Sequence, residues 1–493
     1  LTHSTCKKIR TLAIKELEYP TMHQPGILKK ITLLVFALTT SVFSVAQFDL
    51  GYPLIQNYKA TDYNGQPQIW GISQDKSGVM YFGNNDGVLI LTGKHWQTIP
   101  MPNRSIVRSI TNFKNKMAVG ASDEFGFLMK NRDGAYIYKS LLPLLPDSVS
   151  MFNDVHSIQK IKDTLFFVTE KYIFKYFNNQ FSIIPTSVPL RLGAFVFNNQ
   201  LWAYVPGKGL GMLQGNHFIV CSNTQELIGR GAVNIIPQNK ESLLISTVAG
   251  AYKFTNYKND CPKIIRKKIA CGELLKKSYV FDVTKVKNNY YAFATLRQGV
   301  IITDSALNPL RIIDRNAGLA NNVCTKVMTD YSGNLWACTQ TGISYIELQT
   351  PISSIDERVG VETALTAAFI NNERFFYGSN FNLMQSSFHQ HKHQPSPKFS
   401  PVKGPQSQVW KIDTVNGQIL VGQRNGLYKI KNDKRVPVYD ESGNIWNFIR
   451  HPLKPEILLV GGDSLYLFSL HGQNIKYKHT YQTPLKEFRW MVF

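Results

Sequence analysis

The chain is poor in charge, poor in acid and poor in cysteine. Only 18% of its 493 residues are Asp, Glu, Lys or Arg, with 33 acidic against 55 basic side chains. It has no Gly-rich phosphate loop, no Cys-x-x-Cys, no Ser nucleophile elbow and no His-Glu-x-x-His. Nucleotide hydrolysis, dithiol exchange, hydrolase triads and zincin chemistry therefore find no foothold. Asp86, Asp123, Glu124, Asp304 and Asp463 read as turn residues. No two of them can be set across a pocket from the sequence, as a glycosidase requires. Neither a cofactor nor a metal is implied.

Long hydrophobic runs are scarce, and the one near the N-terminus reads as a secretory signal, with a single-pass anchor as the alternative. The apolar run at residues 31–38 is too short for a spanning helix. It follows Lys29 and Lys30 and leads to Ser44 and Ala46, which makes a secretory signal peptide cut between Ala46 and Gln47. Met22 is well placed as the true start, with residues 1–21 as upstream sequence. Residues 1–46 account for +4 of the formal net charge of +22, leaving +18 on the exported part. Export argues against nucleic-acid binding, and the basic residues are scattered. The cluster Arg266-Lys267-Lys268 reads as a solvated loop. A basic surface facing anionic glycans or headgroups stays open.

Export permits disulfides. Of Cys221, Cys261, Cys271, Cys324 and Cys338, the best pair is Cys261–Cys271, flanking one loop. Cys324 and Cys338 fall in neighbouring strands and read as small buried side chains. The odd count leaves at least one free thiol.

What the chain has is a repeat. Val323 to Ile346 reads as strand, tight turn, strand, tight turn, strand. Asp330 and Gly333 mark the first hairpin turn, Leu335-Trp336-Ala337-Cys338 a strand covered on both faces, and Gly342 the second turn. A sister copy at residues 69–91 carries Asp75, Gly78, an aromatic-x-Gly strand end (Tyr81, Gly83) and Gly87. Eroded copies return about every forty residues, one of them marked by Gly426. The variable stretch after each copy, such as Trp96 to Ile99, is the expected fourth strand. The period fits a propeller blade and is too long for a leucine-rich repeat; the Gly-rich turns exclude paired helices.

The pattern Asp-x-x-Gly-x-Leu-Trp-x-x-Thr-x-x-Gly-Ile, from Asp330 to Ile343, resembles the two-component-regulator propeller repeat. The resemblance covers the chain from about Gln56 onward. It implies the ligand-sensing, periplasmic part of a bacterial regulator, often a hybrid histidine kinase, that detects a small molecule or oligosaccharide. It also implies a homodimer, and further parts: a β-sandwich, one membrane helix as the sole membrane attachment, and a cytoplasmic output module. In such a reading the region present is not an enzyme.

The expected fold is all-β: a seven-bladed β-propeller over 47–350, then the first three to four blades of a second, truncated propeller over 351–493. The break at Gln349–Ser354 carries Pro351, which argues against a central strand. Residues 487–493 read as an opening strand cut short, and the chain as a fragment. The low-complexity stretch 388–406 reads as a loop. Within it His389, His391 and His393 alternate and could face one metal, but the Pro- and Lys-rich surroundings favour a solvated loop. Ser73 to Gly78 resembles an Asp-box turn, in which Asp75 braces backbone and does no chemistry. Trp70, Trp202, Trp410 and Trp446 could stack on sugars or pack between blades; Trp336 reads as core. Two other readings stay open, an exported propeller enzyme (lyase or glycosidase) and a non-catalytic envelope scaffold.

Overall fold

The computed structural model describes residues 51–482, apart from 150, 191–192, 230–231, 240–241, 248–249, 259–260, 265–270, 362–363, 372–373, 388–398 and 442. Ten four-stranded antiparallel sheets follow one another along this span. We number them I to X by their first strands: Ile69–Gln74, Val107–Phe113, Ser157–Ile161, Ala194–Phe197, Ala232–Asn239, Val280–Val286, Cys324–Thr329, Leu365–Ile370, Val409–Val415 and Ile445–Arg450.

In sheets I to VI, strands pair in chain order. Sheet VII is different. Its three strands end at Ile346, and the fourth is Ile55–Lys59, which pairs antiparallel with Gly342–Ile346 (Ile55 opposite Ile346, Lys59 opposite Gly342). Within sheets I to VII the first strand of each sheet lies beside that of the next, and the first strand of sheet VII lies beside that of sheet I; the first strands of sheets VIII, IX and X follow one another likewise. Seven sheets therefore meet end to end, and the N-terminal strand is the clasp. Thr325 Oγ1 of sheet VII donates to the Ile69 carbonyl of sheet I across the seam.

Hydrophobic clusters form between sheets. One joins Trp336, Cys338 and Ile343 of sheet VII to Ile69, Phe82 and Leu89 of sheet I. Tyr58 of the closing strand lies flat against Trp336 at 6.1 Å and edge-on to Trp96 at 5.3 Å. A second cluster gathers Phe113, Phe125 and Phe127 of sheet II with Phe167 and Phe174 of sheet III. A lone blade exposes these faces, so burial is realised only by stacking.

The repeated glycines answer to two requirements. Gly342 has φ +146°, and a methyl group there would overlap the Tyr58 carbonyl oxygen of the closing strand. Gly87 and Gly426 hold the same position in sheets I and IX. Gly83 ends the second strand of sheet I, where an added Cβ would sit 2.8 Å from Val107 Cγ1 of sheet II. The aromatic-x-Gly signature is thus a sheet-to-sheet packing mark.

Among the described residues no central strand continues after Pro351; only the two-residue Ser353–Ser354 pairs antiparallel with Tyr52–Pro53. Several expectations need correction. The stretch read as a loop up to residue 406 contains Ser400–Pro401, the fourth strand of sheet VIII. Glu124 is not in a turn. It starts the strand Glu124–Lys130, is buried, and accepts from Tyr138 Oη (3.0 Å) and Ser140 Oγ (2.8 Å). Cys271 is free and buried, so no Cys261–Cys271 bridge forms; Cys221 is the disulfide-bonded residue, and its partner lies outside the described side chains. Burial pushes the Cys271 thiol up to about 12. Cys324 and Cys338 are free and buried.

Candidate functional site

Antiparallel pairing sends the turns between strands 1–2 and 3–4 of every sheet to one end, and the 2–3 turns to the other. The ring therefore has two faces, a first-turn face and a second-turn face.

The repeat's marked residues build the framework of both faces. Asp75 Oδ1 accepts from Ser77 N (2.9 Å), Ser77 Oγ (2.6 Å) and Val79 N (3.0 Å), and Oδ2 accepts from Tyr81 Oη (2.9 Å). Burial alone would raise its pKa, but these four bonds hold the carboxyl below its usual range. Asp330 repeats the device: Oδ1 accepts from Asn334 N (2.9 Å) and Oδ2 from Trp336 Nε1 (3.1 Å). In both copies the aromatic six residues on supplies the donor. Gly78 and Gly333, both at φ +89°, complete the two turns. All four of these carboxylate oxygens accept hydrogen bonds from their own turn and strand.

A candidate site appears on the axis instead. In eight sheets (I, II and V to X) the first strand carries a bulge at the same place, just after its first residue. A bulge re-aims side chains and sharpens local twist. Residues just beyond it, and Ser157 of the unbulged sheet III, link sheet to sheet. Ser109 Oγ (II) donates to the Val155 carbonyl at 2.7 Å; Ser157 Oγ (III) accepts from Ala194 N (IV) at 2.9 Å. Asn234 Nδ2 (V) donates to Asp282 Oδ1 (3.3 Å) and the Val283 carbonyl (3.1 Å) of sheet VI. Asp282 Oδ2 accepts from Val327 N of sheet VII at 3.2 Å.

Five sheets, III to VII, enclose an axial cavity of about 250 Å3. Its lining includes His156, Ser157, Gln159, Asn234, Asp282 and Lys326. Asp282 is only 7% exposed, and Lys326 Nζ stands 3.8 Å from its Oδ2, an ion pair loose enough to be shared with a guest. His156 Nε2 lies 3.7 Å from Glu170 Oε1. Burial pushes the His156 imidazole below its ordinary value, more than nearby Asp154 and Glu170 raise it. The cavity thus offers one carboxylate, one ammonium, one amide of each kind and a neutral imidazole, fixed in place by the belt around them. Such groups can recognise a hydroxyl-rich guest by paired donors and acceptors.

Sequence reasoning did not single out Asn234, Asp282, Lys326 or His156. For Asn234, Asp282 and Lys326 the usable signal is their constant place, one residue past the bulge in successive first strands; His156, just before the unbulged first strand of sheet III, carries none. Of the tryptophans, Trp202 and Trp336 are buried. Trp70 lies under the Arg108 guanidinium at 4.1 Å and donates to Asn85 Oδ1 at 2.7 Å. Trp410 and Trp446, the bulged residues of sheets IX and X, pair at 4.1 Å. Both act between blades. His389, His391 and His393, the 266–268 basic cluster, the Ala46–Gln47 cleavage site and residues 487–493 lie outside the described residues. Among the described residues no helix is long and apolar enough to cross a membrane, and no group of three metal-ligating side chains gathers.

No family model matches the chain, and no curated protein matches it. Solved structures do. The chain is similar to a domain described as the extracellular part of hybrid two component system BT3049 from B. thetaiotaomicron, with TM-score 0.63 and 16% identity over 87% of this chain and 61% of that one. A corresponding domain of BT4673 from the same organism aligns with TM-score 0.46 at 13% identity, over 87% and 61%. Virginiamycin B lyase from Staphylococcus aureus aligns with TM-score 0.45 at 12% identity, over 60% and 99%. The first of these shares the fold, an all-β propeller architecture, and this chain spans 61% of its length.

Proposed function

We propose that the chain is the extracytoplasmic ligand-sensing region of a bacterial two-component regulator, with residues 47–350 as one propeller and 351–493 as blades of a second. The observation that carries this is the axial cavity: polar side chains from four of the five sheets that line it, held by sheet-to-sheet hydrogen bonds, around a space suited to a small hydroxylated guest. The repeat pattern from Asp330 to Ile343 and the shared fold support the same reading.

The ligand is a mono- or disaccharide-sized carbohydrate that is bound and released unchanged. Hydrolysis of a glycosidic bond uses two carboxylates about 5 to 10 Å apart; the lining of this cavity contributes one, Asp282. A guest bridging Asn234, Asp282 and Lys326 pulls on sheets V, VI and VII together. The segment between sheets VI and VII holds the next part of the chain: Arg358 Nη1 donates to the Ala317 carbonyl at 2.8 Å, and Asn57 Nδ2 to that of Gly318 at 2.8 Å. Arg358 is itself clamped to Asp356 and lies over the Tyr52 ring at 4.8 Å. Occupation of the cavity biases this junction, and through it the dimer and output module that the resemblance implies.

Thermal melting of the exported chain against a panel of mono- and oligosaccharides tests the proposal. A binder raises the melting temperature by mass action, and Asp282→Asn with Lys326→Met removes the rise. Turnover of the same sugar, or a rise indifferent to both substitutions, overturns it.

A further inference from the structure

A second site lies on the opposite, first-turn face, between sheets I and II. It is the larger of the two cavities described here, about 440 Å3. Four lysines ring it: Lys76 on the first turn of sheet I, Lys114 and Lys116 on that of sheet II, and Lys130 at the end of the third strand of sheet II. Lys114 pairs with exposed Asp163 at 3.3 Å. Lys76, Lys116 and Lys130 have no acidic partner among the described residues.

The one carboxylate in the wall is Asp75, and its oxygens already accept four hydrogen bonds. Three of the lysines are steadied by rings: Lys114 over Phe113 at 5.4 Å, Lys116 over Phe127 at 5.4 Å and Lys130 over Tyr136 at 5.0 Å. Stems laid on aromatic faces keep the ammonium groups at the rim. Below them the walls are apolar, with Met117 and Leu128 buried. Four ammonium groups against the carboxylates of Asp75 and Asp163 leave a surplus of positive charge, which raises the local potential and favours an anion.

We propose that this cleft is a binding site for a small organic anion, with carboxylate, sulfate or phosphate groups at the lysine rim and an apolar body against Met117, Leu128 and Tyr136. It is separate from the axial cavity, made by other sheets on the other face.

The test is titration of the full chain with 1-naphthyl phosphate, inorganic phosphate and 1-naphthol, followed by calorimetry at low and high salt. Naphthyl phosphate is expected to bind more tightly than either fragment, and to weaken as salt rises. K116Q/K130Q weakens it about tenfold, two ion pairs' worth; K476Q/K478Q on sheet X, an exposed lysine pair elsewhere, leaves it unchanged. Asp282→Asn also leaves it unchanged, which separates this site from the axial one. Equal loss in the sheet X variant, no loss in K116Q/K130Q, or binding indifferent to salt each overturns the proposal.

Discussion

Sheets I to VII and sheets VIII to X are built from the same repeat but end differently. In the ring, every first strand is flanked on both sides, and the burial of Ile69–Gln74 alternates cleanly between buried and half-buried. The first strand of sheet VIII, Leu365–Ile370, has no fully buried residue. Leu365 is 43% exposed, Ile370 54% and Phe381 69%. The chemistry of the residues is the same; the neighbours differ. A blade does not own its core, and the stability of a propeller sits in the contacts between blades.

The sharpest way to break this comparison is to remove the seam. Trp336→Ala strips sheet VII from Tyr58 and Phe82 and should cost about 3 to 5 kcal/mol, read as a lower denaturant midpoint for the ring. Gly342→Ala acts on the same seam from the backbone. Its methyl group displaces the closing strand, and early cleavage near Ile55–Lys59 in limited proteolysis should report it. Gly83→Ala, crowding Val107, is expected to cost about 1 to 3 kcal/mol as overpacking. Leu365→Lys is the counter-test. On the exposed side of sheet VIII it should change stability by no more than about 0.5 kcal/mol, and a core-sized loss would mean that sheet VIII is covered as sheet I is.

The smallest effect is that of pH. Asp356, held far below the usual carboxylate range chiefly by hydrogen bonds from Arg358, contributes stability that is present above about pH 4 and fades only in stronger acid. His156 is the earlier loss. Because burial lowers its folded pKa, the unfolded chain takes up the proton first, so stability falls as pH drops through about 6.5. His156→Gln should flatten the melting profile in that window while leaving the acid limb to Asp356.

Much of the framework was legible in the sequence because turn chemistry is local. The geometry around Asp75, Gly78, Asp330 and Gly333 is settled within six residues, and Trp336 announces its burial by composition. The closing strand was not legible. Ile-Gln-Asn-Tyr-Lys, at residues 55–59, shows no alternation because only Ile55 and Tyr58 are half-buried there. Asp282, Asn234 and Lys326 were hidden for another reason. A bulge shifts the side-chain phase of each first strand, so period-two reading assigns the wrong face beyond it. Glu124 was misread because its partners, Tyr138 and Ser140, come from the neighbouring strand.

The clasp also sets a clock. Ile55 leaves the ribosome early, yet its partner Ile346 is among the last residues of the ring to emerge. Until then sheet VII lacks its fourth strand and the seam beside sheet I stays unsealed, which places this ring among slow, topologically distant folders. Delay of that kind leaves six sheets waiting on a single late strand before the ring can lock.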